Sequence, residues 1–300
     1  MKISGFSYVR NGIELDYPFV ESVKSVLPIC DEFIMVVGDS HDGSREAVEA
    51  IQSDKIKIVD SVWDMNLRVE GGVFAQQSNL GIDHSTGDWL IHIQADEVIH
   101  EDDLYKIKEN ILKYDSDKRV QGLLLPYYHF WGGYNYIRTT RRVHRYEIRV
   151  LRNIKGIRSF NDSQGFRMYA SNEAYTNNKE KGTKLRVKKI DVPIYHYKRV
   201  RPPAEMKKKM NVFFHFYKSD EWLEKYKNKS QEYDYQNVDA LEEFKGTHPE
   251  LMHERMAKQN WEFVYDKSKS KMKFRYWILY NFEKLTGIRL FEYKNYRLLK

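Results

Sequence analysis

The sequence predicts an α/β fold with a mostly parallel sheet and helices on both of its faces. Strand-like and helix-like segments alternate through the first half of the chain, which is typical of parallel strands joined by crossover helices. Residues 33–37 form a continuous apolar run that is rich in β-branched side chains. Such a run indicates a strand that is covered on both faces, as in a parallel sheet. The sheet should therefore lie between two layers of helices.

The segments of the first half follow one another in a regular order. Strands are predicted at residues 3–9, 33–37 and 55–59, and a fourth strand begins at Trp89. Ser44 is a suitable N-cap for a helix that follows the second strand. The other helices are predicted at residues 18–27, which carry an apolar stripe, and at residues 72–84.

The next part of the chain continues this pattern with longer polar insertions. Residues 104–112 have apolar positions at helical spacing, and residues 122–126 indicate a further strand. Residues 145–150 alternate between polar and apolar side chains, as do residues 185–197, so each segment should be a half-buried strand. Residues 170–182 between them are polar and predict an exposed loop or hairpin.

The character of the chain changes near Arg201-Pro202-Pro203, after which it is basic, aromatic and helix-like. We therefore divide it into a domain at residues 1–200 and a helical C-terminal extension at residues 201–300. One segment of the extension has two interpretations, an amphipathic helix on an anionic membrane surface or a helix packed on the main domain, and we favour packing. Its apolar residues at near-helical spacing are Phe274, Ile278, Phe282 and Leu285, and its basic residues are Lys271, Lys273, Arg275 and Lys284.

Composition and charge limit the class of protein. Of the 300 residues, 41% are hydrophobic and 14% aromatic, which is enough for a large core. Cys30 is the only cysteine, which excludes an internal disulfide and a cysteine metal cluster. The net charge of +7 favours phosphate-bearing partners, but neither zinc-finger spacing nor an aromatic RNA-binding motif is present, so we expect no nucleic acid. We expect a cytoplasmic protein without a signal peptide or membrane span. Whether the chain forms a homo-oligomer is left open.

The run that begins at Trp89 ends abruptly in the adjacent carboxylates of Asp96 and Glu97. Buried carboxylates are costly unless a positive group pairs with them. Ligands bind at the carboxyl ends of parallel strands, where a divalent cation with a phosphate is a suitable partner. The alternative is a strand that ends in a solvated acidic loop.

The order of several short motifs resembles family 2 glycosyltransferases of the GT-A fold, a Rossmann-like α/β fold. The resemblance covers roughly residues 1–200 and implies metal-dependent transfer of a sugar from a UDP-, GDP- or dTDP-sugar to a hydroxyl of a glycan or lipid-linked acceptor. It favours inversion and a role in surface-glycan biosynthesis. The motifs are Arg10-Asn11, Asp39-x-x-Asp42-Gly43-Ser44, Asn79, Gly87-Asp88-Trp89 and Gln94-Ala95-Asp96-Glu97.

The resemblance also implies the roles of individual residues. Asp96 and His196 would bind Mn²⁺ or Mg²⁺, although His196 could instead be a core histidine. Gln94 stands where the family usually has the first Asp of its Asp-x-Asp motif, and its amide can still bond a ribose hydroxyl. The alternative role for Asp42, and with less weight for Asp39, is an Asx-turn that leads into a helix. The nucleotide-binding residues implied are Arg10, Asn11, Asp39, Asp42, Asn79, Gln94 and Ala95.

An inverting transfer needs a base that deprotonates the acceptor hydroxyl. Asp162 is the first candidate and Glu97 the second, and an ordinary Asn-Asp turn is the alternative for Asp162. Some arginines of the basic stretch could bind the leaving diphosphate or a lipid phosphate, while most should be solvated. These are Arg138, Arg141, Arg142, Arg145, Arg149, Arg152 and Arg158.

Two other functions compete with glycosyl transfer. One is a nucleotidyltransferase that makes sugar nucleotides, but the glycine-rich, basic phosphate loop after the first strand is absent. The other is a non-catalytic nucleotide- or sugar-binding module, which Gln94 favours because it replaces a carboxylate.

Overall fold

A computed structural model describes residues 1–163, 165–176, 181–227 and 232–300 of the chain. The described helices are α1 (Phe19–Val26), α2 (Ser44–Glu49), α3 (Gly72–His84), α4 (Leu104–Tyr114), α5 (Asn172–Thr176), α6 (Pro203–Phe214), α7 (Asp220–Lys227), α8 (His253–Ala257) and α9 (Phe274–Thr286). The strands are β1 (Ile3–Val9), β2 (Glu32–Val37), β3 (Ile56–Asp60), β4 (Trp89–His92), β5 (Glu97–Ile99), β6 (Gly122–Trp131), β7 (Tyr136–Arg138), β8 (Tyr146–Arg152), β9 (Ile157–Ser159), β10 (Phe166–Met168), β11 (Thr183–Lys189), β12 (Ile194–Arg199), β13 (Glu242–Glu243) and β14 (Tyr296–Leu298).

The sheet has the predicted parallel half and an antiparallel insertion. Its main path runs in the order β3-β2-β1-β4-β8-β6-β11-β10-β9. Strands β3, β2, β1 and β4 are parallel, with Phe6 opposite both Ile34 and His92. Strand β8 then lies antiparallel between β4 and β6. The α/β fold class is thus confirmed, and the order of strands brings the carboxyl ends of β1, β2 and β4 to one edge.

Two predicted segments differ in detail. The single strand-like segment at 185–197 is two strands, because β11 pairs with one part of β6 and β12 with a later part of the same strand. The expected loop or hairpin at 170–182 contains the short helix α5. Its residues 177–180 lie outside the described part of the chain.

Apolar side chains fill both faces of the sheet. Every residue of β2 is buried, as expected of a strand with helices on both sides. Phe33 and Met35 pack on the face covered by α1 and α4, while Ile34 and Val36 pack on the face covered by α3. Full burial of one such side chain contributes about 1.5–3 kcal/mol, so these two clusters supply the main force that holds the layers together.

The C-terminal extension is mainly helical and is attached to the domain by short strands and ion pairs. Strand β13 pairs with β7, and β14 pairs with β11. Arg138 donates hydrogen bonds of 2.8 and 2.6 Å to Asp239 in a buried pair. The guanidinium of Arg138 also lies 4.8 Å from the ring centroid of Trp131. No helix in the described part of the chain is both long and apolar enough to cross a membrane.

Replacing Asp239 with alanine should weaken the attachment of the extension. Asp239→Ala leaves the buried guanidinium of Arg138 without its counter-charge, which costs about 3–5 kcal/mol. Urea denaturation followed by tryptophan fluorescence measures this loss. Glu254→Ala is the control, because the ion pair of Glu254 with Lys258 is exposed and its loss should hardly change stability. Equal effects of the two substitutions would contradict the anchoring role of Asp239.

Candidate active site

The carboxyl ends of β1 and β4 open into a cavity of about 700 Å³. Residues from β1, β8, β12, the turn after β4, helix α6 and the C-terminal segment line its walls. A cavity of this size is within the range that buries a drug-sized ligand. Its walls therefore join the sheet, the antiparallel insertion and the extension around one space.

Asp96 is a buried carboxylate in the turn between β4 and β5. Its backbone carbonyl accepts from the amide of Tyr197 at 2.8 Å, which fixes the turn against β12. Its Oδ1 lies 3.5 Å from His196 Nε2, and its Oδ2 lies 3.4 Å from Lys209 Nζ. Burial opposes ionisation, but the charge of Lys209 and the contact with His196 outweigh it and hold the pKa of Asp96 well below its usual range. Asp96 is therefore an anion at neutral pH.

A chain of histidines orients His196. Strand β12 pairs antiparallel with β5, which places His196 opposite Glu97 and beside Asp96. His196 Nδ1 lies 2.8 Å from His129 Nδ1, and His129 Nε2 lies 2.7 Å from the carbonyl oxygen of His144. Burial and the neighbouring His144 and His196 lower the pKa of His129, which keeps it neutral. Since a carbonyl only accepts, His129 carries its proton on Nε2 and accepts at Nδ1 from His196. This leaves Nε2 of His196 directed to Asp96.

The two predicted metal ligands therefore lie side by side. An oxygen and a nitrogen ligand suit Mn²⁺, and a metal-binding histidine is normally oriented by a hydrogen bond at its other nitrogen, as His196 is. No group of three or more His, Cys, Asp or Glu side chains among the described residues could hold a metal ion. Asp96 and His196 offer two suitable ligand atoms, so a metal ion held by this pair would need further ligands from outside it.

Lys209 is a site residue that the sequence did not reveal. It projects from α6, its side chain is buried, and its Nζ donates to the carbonyl of Lys198 at 3.1 Å. The Nζ atom also lies 4.0 Å from the ring centroid of Tyr17, and burial lowers the pKa of Lys209 well below its usual range while the charge of Asp96 opposes the shift. The run Lys207-Lys208-Lys209 gives no sign of which lysine points inward. The only available signal is the spacing of Met206 and Met210, which marks the buried face of the helix.

Four of the predicted nucleotide-binding residues line the cavity, namely Arg10, Asn11, Gln94 and Ala95. Asp39 lies behind Arg10, which donates to it at 3.0 Å, and it also accepts from the backbone amide of Trp63 at 3.2 Å. Trp63 lines the cavity as well, and its buried indole N–H has no hydrogen-bond partner among the described residues. Trp63 thus contributes an aromatic ring to this wall of the cavity.

Asp42 and Asn79 hold backbone segments together. Asp42 Oδ1 accepts from the amide and hydroxyl of Ser44, and its Oδ2 accepts from the amide of Glu14 at 2.7 Å. This is the Asx-turn that was the alternative for Asp42. Asn79 accepts from the amide of Ser159 and donates to the hydroxyl of Tyr175. Contact of these two side chains with a nucleotide stays a prediction.

Asp162 lines the cavity from the loop between β9 and β10. Its Oδ2 accepts from the hydroxyl of Tyr217 at 2.7 Å, while its buried Oδ1 has no hydrogen-bond partner among the described residues. Gly71, at a φ of 72°, lets this loop approach closely, since a Cβ there would lie 2.6 Å from the Cβ of Asp162. Tyr217 therefore fixes one carboxylate oxygen, and the other is buried and unpaired in the described part of the chain, which does not include the neighbouring Gln164.

Glu97 is held in a buried ion pair. Arg149 donates to it through Nε and a terminal nitrogen, both at 2.8 Å, and the hydroxyl of Tyr127 donates at 2.6 Å. Burial opposes ionisation, but Arg149 and these hydrogen bonds hold the pKa of Glu97 below its usual value. These bonds occupy both of its oxygens, so the contacts of Glu97 are those of a structural anchor.

Glu147 on β8 is another residue of the cavity that the sequence did not reveal. Burial raises its pKa to about 8, with Arg149 opposing the shift and the charges of Glu97 and Asp162 adding to it. A Cβ on Gly165 would lie 3.0 Å from Glu147 Oε2, so the glycine leaves room for this carboxyl group. Glu147 therefore carries a proton at pH 7, unlike Asp96 in the same cavity.

The prediction that most arginines between 138 and 158 are solvated is wrong. Most of their side chains are largely buried in ion pairs, because the extension and neighbouring loops supply carboxylates for them. The pairs are Arg138 with Asp239, Arg141 and Arg145 with Glu283, Arg149 with Glu97, Arg152 with Asp115 and Arg158 with Asp83.

A parallel sheet whose strand ends meet a cavity with carboxylate, imidazole and lysine amino groups is typical of enzymes that bind phosphorylated substrates. Residues 17–173, just over half of the chain, match the model of glycosyl transferase family 2. The chain therefore belongs to this family. No curated protein matches the sequence.

Several solved structures are similar to part of the chain. TarS 1–349 from S. aureus is 13% identical with a TM-score of 0.37, over 72% of this chain and 65% of that one. Glucosyl-3-phosphoglycerate synthase from Mycobacterium tuberculosis, in complex with Mn²⁺, UDP and phosphoglyceric acid, is 15% identical with a TM-score of 0.29, over 44% of each chain. Mannosyltransferase PcManGT from Pyrobaculum calidifontis, in complex with GDP-Man and Mn²⁺, is 20% identical with a TM-score of 0.31, over 41% of this chain and 34% of that one. The chain thus spans less than two thirds of each of these proteins.

Glu147 should make the stability of the protein fall as the pH rises. Between the ordinary glutamate pKa of about 4.3 and the folded value of about 8, the folded protein keeps a proton that the unfolded chain has released. Stability then decreases with pH across this window. Glu147→Gln cannot lose a proton, so the variant should gain stability relative to wild type as the pH increases. Urea denaturation of both proteins from about pH 5 to about pH 9 measures the difference. All other titrating groups are common to the two proteins. A difference in their free energies of unfolding that does not change with pH would therefore contradict the raised pKa of Glu147.

Proposed function

We propose that this enzyme transfers a sugar from a nucleoside diphosphate to an acceptor hydroxyl within the cavity, with the help of a divalent cation. The observation that carries the proposal is that one cavity is lined by Asp96, His196 and Lys209 and also by Asp162, one of whose carboxylate oxygens has no hydrogen-bond partner among the described residues. Asp96, His196 and Lys209 suit an anionic diphosphate. The carboxylate of Asp162 suits a hydroxyl that must lose its proton.

The donor would bind at the ends of β1 and β4. Asp96 Oδ1 and His196 Nε2 would hold Mn²⁺ or Mg²⁺, and the ion would offset the charge that develops on the leaving nucleoside diphosphate. Lys209 would donate a charge-assisted hydrogen bond to a phosphate oxygen. Arg10, Asn11 and Trp63 would contact the nucleoside.

The acceptor would lie against Asp162. Oδ1 of Asp162 accepts the proton of the acceptor hydroxyl while that oxygen bonds to the anomeric carbon and the bond from this carbon to the diphosphate breaks. Tyr217 donates to Oδ2 and keeps the carboxylate in place. Attack from the face opposite to the diphosphate inverts the anomeric centre.

The donor side is tested by nucleotide binding. Isothermal titration calorimetry with UDP, GDP and dTDP should show binding of at least one nucleotide, more tightly with Mn²⁺ than with EDTA. Lys209→Met should weaken this binding about tenfold or more, since it removes a hydrogen bond to a charged group.

Lys208→Met is the matched control for the donor site. Lys208 is the neighbouring lysine on α6 and forms a surface ion pair with Glu14, so its loss should leave nucleotide affinity unchanged. Absence of binding for all three nucleotides would contradict the proposed function. Equal affinities in Mn²⁺ and EDTA would contradict only the role of the metal.

The acceptor side is tested by Asp162→Asn. A base acts on the acceptor and not on the nucleotide, so the variant should keep its nucleotide affinity and lose transfer or donor hydrolysis by roughly a hundredfold. Release of nucleoside diphosphate from a panel of sugar nucleotides measures the rate.

Glu97→Gln is the comparison, and it should lower stability because it disturbs the buried pair with Arg149. Normal turnover of Asp162→Asn, with turnover lost in a stably folded Glu97→Gln, would move the base to Glu97. A wild type that binds nucleotide but never releases it from a sugar would be a binding module.

A further inference from the structure

Helix α9 exposes its apolar face. None of its residues is buried. The positions at spacings of three and four residues are apolar and point to solvent, which makes a continuous stripe along the helix. The exposed fractions are 75% for Phe274, 54% for Trp277, 48% for Ile278, 37% for Phe282 and 87% for Leu285.

The opposite face of α9 holds the helix to the protein by polar contacts. Glu242 accepts from the hydroxyl of Tyr280 at 3.0 Å and pairs with Lys284 at 3.1 Å. Glu283 pairs with Arg289 at 2.8 Å and with Arg145 at 3.3 Å. A surface helix normally has the reverse orientation, with its apolar face on the core. Helix α9 thus contacts the main domain, as expected, but through polar side chains and not through its apolar stripe.

The chain that leads into α9 is basic and exposed. Lys267, Lys269, Lys271 and Lys273 alternate with serine and methionine, and Arg275 follows in the first turn of the helix. Among these cations, Lys269 has a carboxylate nearby, that of Asp266 at 3.6 Å. Strong positive charge thus adjoins an apolar face.

We infer that α9 and the basic segment before it bind the surface of an anionic lipid membrane. An apolar helix face can enter the boundary between headgroups and acyl chains, while lysines beside it attract anionic headgroups. The helix has 13 residues and is about 20 Å long. That is shorter than the hydrocarbon core of about 30 Å, so α9 would lie along the surface.

The position of α9 also links the membrane to the cavity. Tyr276 on α9 and the exposed Phe291 and Tyr293 after it line the same cavity as Asp96 and Asp162. A membrane-bound enzyme would thus present the mouth of its cavity near the lipid surface. If the proposed glycosyl transfer holds, this geometry favours an acceptor carried on a lipid. The binding of the membrane itself does not depend on the reaction.

Vesicle flotation with the full-length protein tests this inference. The protein should float with phosphatidylcholine–phosphatidylglycerol vesicles and much less with pure phosphatidylcholine vesicles. Binding should weaken at about 1 M salt, where the Debye length falls to about 3 Å. Replacement of Trp277 and Leu285 together by serine should lower the affinity about tenfold or more, because it removes large inserted side chains.

Tyr105→Ser with Leu112→Ser is the matched control. These side chains are also exposed and apolar, but they lie on α4. The control should float like the wild type. All substituted residues are exposed, so each variant should keep its melting temperature. Light scattering of the same proteins without vesicles tests whether a second copy covers α9.

Three results would overturn the inference. The first is that the wild type fails to float with anionic vesicles. The second is that the α9 variant floats as well as the wild type. The third is that the wild type is a dimer that does not bind vesicles, while the α9 variant is a monomer. Because flotation is measured without donor or acceptor, these results are independent of the test of glycosyl transfer.

Discussion

The buried carboxylate of Asp96 is the constraint on which the site depends. A carboxylate removed from water needs positive or hydrogen-bonding partners. Asp96 finds them in His196 of β12 and Lys209 of α6, at 3.5 and 3.4 Å. These partners come from segments about a hundred residues further along the chain. The charge of one turn residue therefore ties the parallel sheet to the antiparallel insertion and to the extension.

A second buried carboxylate adjoins the first. Glu97 follows Asp96 in sequence but is bound by Arg149 and Tyr127. Adjacent carboxylates thus have different roles, since the first faces the cavity and the second fixes β5 against β8 and β6. The cavity wall next to this pair contains Glu147, whose proton is retained because burial and neighbouring anions disfavour its charge. The local electrostatics keep one carboxyl group ionised and another neutral within the same cavity.

The extension contributes to the site and also to the outer surface. Helix α6 delivers Lys209 to Asp96, and the segment around Phe291 closes part of the cavity. Helix α9 is attached through Glu242 and Glu283, which leaves its apolar side chains outside. The same hundred residues therefore connect the place where the donor would bind with the surface that we assign to the membrane.

The sequence by itself determined the fold class, the family and the acidic turn at Asp96, because these depend on local periodicity and on short motifs. The run from Trp89 to Asp96 could be identified as a buried strand with a charged end, and His196 could be named as its partner from the resemblance. Only the tertiary structure decided that Lys209, and not Lys208, points inward. It also decided that Glu97 forms a buried ion pair with Arg149 and that Glu147 retains its proton. It also decided that α9 turns its apolar face outward. Each of these depends on long-range contacts whose energy comes from burial and from charges on distant segments, and a local pattern contains no information about which segments will meet.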